Sequence, residues 1–150
     1  MKKFTFSLDK VLDYKEQIFE SAKTEHAEAL ANVHRQEDFL EKLWQDYRDY
    51  NDEFCENKLK GMMITEAMIF ESGLRVMESE IQKATEHLAK LRDIEEAKRN
   101  AMVEAKRETA TLEKLKEKKF EAYQKAVQKS EEAFIDEFVS SSRASSANSA

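Results

Sequence analysis

The sequence predicts an all-α protein, an antiparallel two-helix coiled-coil hairpin whose second helix is longer than the first. The 150 residues include only two glycines and no proline, whereas sheets and barrels need many tight turns that depend on such residues. Charged residues make up 37% of the chain and hydrophobic residues 41%, a composition that fits long helices with solvated faces. Apolar residues also recur at alternating spacings of three and four through two segments separated by one break.

The first segment is predicted to form a helix over residues 8–59. The alternating spacing from Leu12 to Asn57 visits fourteen positions, of which ten are apolar. A turn over residues 60–65 is expected next, because Gly61 suits the left-handed position that follows a helix. Lys58 and Lys60 also suit the negative end of the helix dipole.

The second segment is predicted to form a helix over residues 66–138. The same spacing from Phe70 to Leu112 visits thirteen positions, of which ten are apolar. Two such ladders joined by a short turn indicate a single hairpin over residues 1–138, in which His26 falls opposite Lys98. Residues 139–150 contain six serines and one charged side chain, and we expect them to form a disordered Ser-rich tail.

This pairing leaves the end of the second helix without a partner in the first. Leu8 pairs near residue 117, whereas apolar residues continue to Phe138, and Phe4 and Phe6 could cover only the first turns of the remainder. An unpartnered aromatic stripe on a helix usually marks a binding surface. The stripe contains Phe120, Tyr123, Val127, Phe134 and Phe138.

No catalytic, cofactor or metal site is predicted. Two isolated glycines cannot form a Gly-rich phosphate loop, and no arrangement of Ser, His, Asp or Cys has a scaffold that would bring it together. The net charge of −6 disfavours nucleic acid as the main partner. Asp9 and Lys10 interrupt the opening before an apolar signal segment can form. We therefore expect a cytoplasmic interaction protein without a small-molecule substrate.

The opening residues Phe6 to Glu16, with the sequence FSLDKVLDYKE, closely resemble the start of the flagellar FliJ family. The resemblance continues through LEKLWQDY at residues 40–47, the apolar run from Phe70 to Ile81, and LEKLKEKK at residues 112–119. It ends with EEAFIDE at residues 131–137. The opening string is the most specific part, because LEKL recurs in any coiled coil.

This resemblance implies a non-enzymatic coiled-coil component of the bacterial flagellar type III export apparatus. Members of the family are similar to the gamma stalk subunit of rotary ATPases, and they insert the end that carries both termini into the ring of the export ATPase, a FliI-like hexamer. They also contact a FlhA-like export gate protein and escort export chaperones. The resemblance thus implies a peripheral position at the cytoplasmic face of the inner membrane, at the flagellar base.

The stripe and the resemblance together give two sets of candidate binding residues. The ATPase-binding set is Leu8, Val11, Leu12, Tyr14, Lys15, Phe120, Tyr123, Val127, Phe134 and Phe138. The gate-binding set consists of aromatic residues near the turn, namely Trp44, Tyr47, Tyr50, Phe54 and Phe70. Trp44 lies off the ladder, whereas the other four occupy ladder positions, where packing between the helices is the alternative interpretation.

Two alternatives to a stalk remain open at the level of sequence. The chain could be an export chaperone or adaptor that binds secreted substrates through the same stripe, or a structural coiled coil that dimerises through it. We expect a monomer when the chain is alone. We also expect Phe134→Asp and Tyr123→Asp to leave melting nearly unchanged, because the stripe has no predicted intrachain partner.

Overall fold

The computed structural model describes residues 2–149 and contains two helices within them. Helix α1 spans Asp9–Lys60 and helix α2 spans Ile64–Asn148. The helices pack together, and α2 has 85 residues against 52 in α1, which confirms the predicted fold class. Met1 and Ala150, the outer residues of the predicted hairpin and tail, lie outside the described residues.

The turn between the helices depends on the backbone of Gly61. This residue has φ +91°, a left-handed conformation that side chains with a Cβ avoid. Its N–H donates to the Lys58 carbonyl at 3.2 Å, which satisfies one of the free carbonyls at the end of α1. Helix α2 begins at Ile64, slightly before the predicted start at Glu66.

The apolar ladders identify the faces that the two helices bury. Every ladder position, from Leu12 to Asn57 and from Phe70 to Leu112, is buried or half-buried. The most buried apolar side chains on these faces are Leu12, Ala29, Val33, Phe54, Ile81, Ala84, Leu88 and Ala105. The alternating spacing therefore predicted which side of each helix meets its partner.

The chain divides into two compact units, and Glu20–Glu104 form one of them. Within this unit His26 Nε2 is hydrogen-bonded to Glu95 Oε1 at 2.8 Å, and Glu95 lies about one helical turn before Lys98, the residue predicted to face His26. Lys98 pairs with Glu25, the neighbour of His26, at 3.0 Å. These contacts place the imidazole beside a carboxylate and the Lys98 ammonium beside an anion.

The other unit consists of Met1–Phe19 and Ala105–Ala150. Leu12, Ala105 and Thr109 are buried there, and the Thr109 hydroxyl donates to the Ala105 carbonyl at 2.9 Å. Two ion pairs of 2.7 Å flank this core, Lys15 with Glu108 and Lys116 with Asp9. The hydrogen bond from each ammonium to its carboxylate raises the pKa of Lys15 and of Lys116.

The expected disordered tail is helical instead. Helix α2 continues without a break through Val139 to Asn148, and every residue in this stretch is exposed. The hydroxyls of Ser146 and Ser149 donate to the carbonyls four residues earlier, both at 3.0 Å. A helix satisfies its own backbone hydrogen bonds without burying side chains, and no Gly or Pro ends it here.

Candidate protein-binding surfaces

The N-terminal segment, residues 2–8, covers the first part of the aromatic stripe. The Phe4 ring lies 5.1 Å from the Phe120 ring and 5.5 Å from the Tyr123 ring. The Tyr123 hydroxyl donates to the Lys2 carbonyl at 2.8 Å, and Phe6 is buried. The expectation that Tyr123 has no intrachain partner is therefore wrong, whereas the expectation that Phe4 and Phe6 reach the first turns of the stripe is confirmed.

The last part of the stripe is open. Phe134 is 71% exposed and Phe138 is 67% exposed, and the neighbouring Ile135 and Val139 are exposed as well. We call these four residues the distal stripe. The predicted stripe did not include Ile135 and Val139, because each lies one position after a stripe residue, Phe134 or Phe138. A shallow groove of about 420 Å³ adjoins Phe134 and is lined by Val127, Ser130, Glu131, Phe134 and Ile135.

The predicted ATPase-binding residues near the start of the chain differ in accessibility. Val11 and Tyr14 are exposed, so their side chains are available to a partner. Leu12 is buried in the core, and Leu8 is half-buried. Lys15 is held by its ion pair with Glu108. Leu12 and Lys15 are therefore engaged in internal contacts, whereas the side chains of Val11 and Tyr14 are accessible.

Three of the five predicted gate-binding residues pack against one another. The Phe54 ring stacks on the Phe70 ring at 5.1 Å, and the Tyr50 ring lies 5.0 Å from Phe70. Phe54 is only 4% exposed, and the Lys58 ammonium lies 3.8 Å from the centre of its ring. We call Tyr50, Phe54 and Phe70 the seam trio, because they fill the interface between the two helices.

The other two predicted gate-binding residues lie outside the seam trio and differ in accessibility. Trp44 is 41% exposed and meets the half-buried Tyr47 edge-on, with 5.8 Å between the ring centres. The Tyr47 hydroxyl donates to Glu78 at 2.9 Å, and this hydrogen bond raises the pKa of Tyr47. Trp44 is therefore the member of the set that is most available to a partner.

Gly73 makes room for the seam trio. A Cβ at this position would lie 2.8 Å from Cζ of Tyr50, which is closer than side-chain carbons approach one another. Gly73 lies within α2 and outside the turn. Its role depends on a tyrosine of the other helix, so no local pattern could reveal it.

Several exposed apolar side chains near the turn lie outside the predicted ladders. Five large apolar side chains that flank Gly61 are exposed: Leu59, Met63, Ile64, Met68 and Ile69. We call them the turn patch. All five lie between Asn57, the last ladder residue of α1, and Phe70, the first ladder residue of α2, so neither ladder includes them. The signal that could have found them is a run of apolar residues at off-ladder positions.

Residues 2–149 contain neither a candidate metal site nor a candidate membrane-spanning helix. Within this part of the chain no three His, Cys, Asp or Glu side chains come together in a way that could hold a metal ion. Neither α1 nor α2 contains a stretch that is apolar enough over a sufficient length to cross a bilayer.

A family model for the flagellar FliJ protein matches residues 4–148 of the 150-residue chain. No curated protein and no solved structure matches the chain significantly. The family match covers both helices, the N-terminal segment from residue 4 onwards, the turn patch and the distal stripe. FliJ proteins are non-catalytic components of flagellar protein export and belong to the flagellar base. The chain therefore belongs to the flagellar FliJ family.

Proposed function

We propose that the chain is a non-enzymatic, gamma-like stalk that binds the ring of the flagellar export ATPase, a FliI-like hexamer, and links it to the export gate. The observation that carries this proposal is the distal stripe, because α2 exposes Phe134 and Phe138 beyond the residues that pair with α1. Large exposed aromatic side chains on one helical face are typical of protein-binding surfaces. The exposed Val11 and Tyr14 extend the candidate surface to α1.

The stalk would act on the ATPase through differences in binding. Burying one large apolar side chain contributes roughly 1.5–3 kcal/mol, so the two phenylalanines supply enough free energy to favour one state of a ring over another. A protein that binds one subunit state more tightly shifts the ring towards it. The chain needs no active site for this role.

Contact with a FlhA-like gate protein would use the other unit. Trp44 and the turn patch are exposed there, whereas the seam trio supports the surface from within. Escort of export chaperones would use the same exposed residues or the distal stripe. Binding to the ATPase and gate would hold the chain at the cytoplasmic face of the inner membrane, at the flagellar base.

The test is ATP hydrolysis by the purified export ATPase with and without this chain. We expect the wild-type chain to raise the rate and Phe134→Asp to abolish the increase. Ile94→Asp is a matched control, because Ile94 is also an exposed apolar residue of α2, 50% accessible, outside the proposed surface. The stalk proposal fails if both variants stimulate as well as the wild type, or if the wild type has no effect.

The second candidate is an export adaptor that binds secreted substrates or their chaperones without acting as a stalk. The turn patch favours it, because methionine side chains adapt to several partners and Met63 and Met68 are both exposed. Affinity purification separates the candidates. Recovery of the ATPase hexamer supports the stalk, whereas recovery of individual secreted proteins or chaperones, with the hexamer absent, supports the adaptor.

A further inference from the structure

We infer that the distal stripe docks on a positively charged apolar surface, in which lysine or arginine side chains of the partner surround the site that receives Phe134 and Phe138. The inference rests on the proposed function, because it specifies the chemistry of the surface that the ATPase ring presents to α2. It concerns the charges that accompany the stripe rather than the stripe alone.

Acidic side chains accompany the distal stripe along the helix, and no basic residue occurs between Lys129 and Arg143. Among residues 2–149, no ion pair engages any of these carboxylates; Glu132 accepts a hydrogen bond from Gln128 at 3.1 Å. This segment therefore carries a local negative charge that the chain itself does not neutralise. The four carboxylates belong to Glu131, Glu132, Asp136 and Glu137.

The part of α2 that does have an intrachain partner is different. Lys116 pairs with Asp9 and Glu108 pairs with Lys15, both at 2.7 Å. In that part α1 supplies apolar side chains and opposite charges together. Among residues 2–149 the distal stripe has neither kind of contact, so a partner that replaces α1 there must supply both.

The groove beside Phe134 shows why a neutral partner fits less well. Its lining combines Val127, Phe134 and Ile135 with the Glu131 carboxylate. A partner that covers the apolar residues also removes water from this carboxylate, and an ionised group without a compensating cation is costly to desolvate. A second copy of the chain laid alongside in register would place like charges together, which is also unfavourable.

The test measures binding of this chain to the purified export ATPase at low and high potassium chloride. One variant keeps the stripe and removes its four negative charges. It combines Glu131→Gln, Glu132→Gln, Asp136→Asn and Glu137→Gln. We expect it to bind roughly tenfold more weakly at low salt and to lose most of the salt dependence of the wild type. The control variant removes four charges from exposed positions outside the stripe, with Glu56, Glu71, Glu80 and Glu96 each changed to Gln, and should bind as the wild type does.

The possible results bear separately on the inferred basic partner surface and on the stalk proposal. If the wild type binds the ATPase and the four-charge variant binds with equal affinity and salt dependence, the inference is wrong and the stalk proposal stands. If the wild type does not bind at any salt concentration, both are wrong. If sedimentation equilibrium shows a wild-type dimer that Phe134→Asp converts to a monomer, the stripe is covered by a second copy and the basic partner is ruled out.

Discussion

The seam trio and the distal stripe each contain two aromatic residues four positions apart on one helix, Tyr50 and Phe54 in the trio and Phe134 and Phe138 in the stripe, yet their environments differ. Phe54 is 4% exposed and stacks on Phe70 at 5.1 Å, whereas Phe134 is 71% exposed. The difference is the presence of the other helix, because α1 and α2 both contribute to the trio and only α2 contributes to the stripe. An aromatic ladder thus predicts a buried face only where a partner helix is available.

The first turns of the aromatic stripe have an environment between these two. Phe120 and Tyr123 belong to the stripe by spacing, but the Phe4 ring packs against both, which leaves Tyr123 half-buried and Phe120 41% exposed. A short irregular segment therefore takes the place of α1 for the first turns of the stripe. The boundary between covered and open surface follows the reach of residues 2–8.

The largest expected effect separates the two groups by stability. Phe54→Ala should lower the free energy of unfolding by about 3–5 kcal/mol, because it leaves a cavity in the helix interface. Phe134→Ala should change it by less than about 0.5 kcal/mol, because the side chain is already exposed. Denaturation followed by circular dichroism measures both, and equal effects would contradict the comparison.

A smaller effect tests the fit within the seam trio. In the wild-type background Gly73→Ala forces the Tyr50 ring to move, while alanine also favours helix over glycine by about 1 kcal/mol. In a Tyr50→Ala background only the second effect remains. We expect Gly73→Ala to be about 1–2 kcal/mol less favourable in the wild type than in that background. Additive effects in this double-mutant cycle would show that Gly73 does not serve Tyr50.

Tyr123→Phe tests the covered part of the stripe. It removes the hydrogen bond to the Lys2 carbonyl and keeps the ring, so the loss of stability should be only about 0.5 kcal/mol. Amide hydrogen exchange in residues 2–8 should accelerate. Tyr14→Phe, at a 61% exposed tyrosine, is the control and should leave that exchange unchanged; a similar acceleration in both variants would argue against a role for the hydrogen bond.

The smallest effect concerns the paired charges beside α1. The hydrogen bond to Glu108 raises the pKa of Lys15 above its ordinary value of 10.5. A raised pKa in the folded state stabilises the fold below pH 10.5, and this contribution disappears as the pH rises through the raised value. In Lys15→Gln, the free energy of unfolding measured by urea denaturation should therefore decrease less at alkaline pH than in the wild type. Lys10→Gln, at an exposed lysine, should leave the wild-type curve intact.

Much of the fold follows from local sequence. The spacing from Leu12 to Asn57 and from Phe70 to Leu112 predicted the buried face of each helix, because a helix turns by a nearly constant angle per residue. Gly61 predicted the turn, because few other residues adopt its backbone conformation. The Ser-rich tail was predicted wrongly, since a scarcity of large apolar residues does not prevent helical backbone hydrogen bonds.

Two helices, their apolar faces, the turn and the presence of an aromatic stripe could all be predicted from local sequence, because each depends on residues close together along the chain. Which aromatic residues are available to a partner depends instead on contacts between distant parts of the chain. The tertiary structure pairs His26 with Glu95, buries Phe54, places Tyr50 over Gly73 and covers Tyr123 with residues 2–8. Each of these contacts joins side chains far apart in sequence, and their register is set by packing across the whole interface rather than by any local pattern.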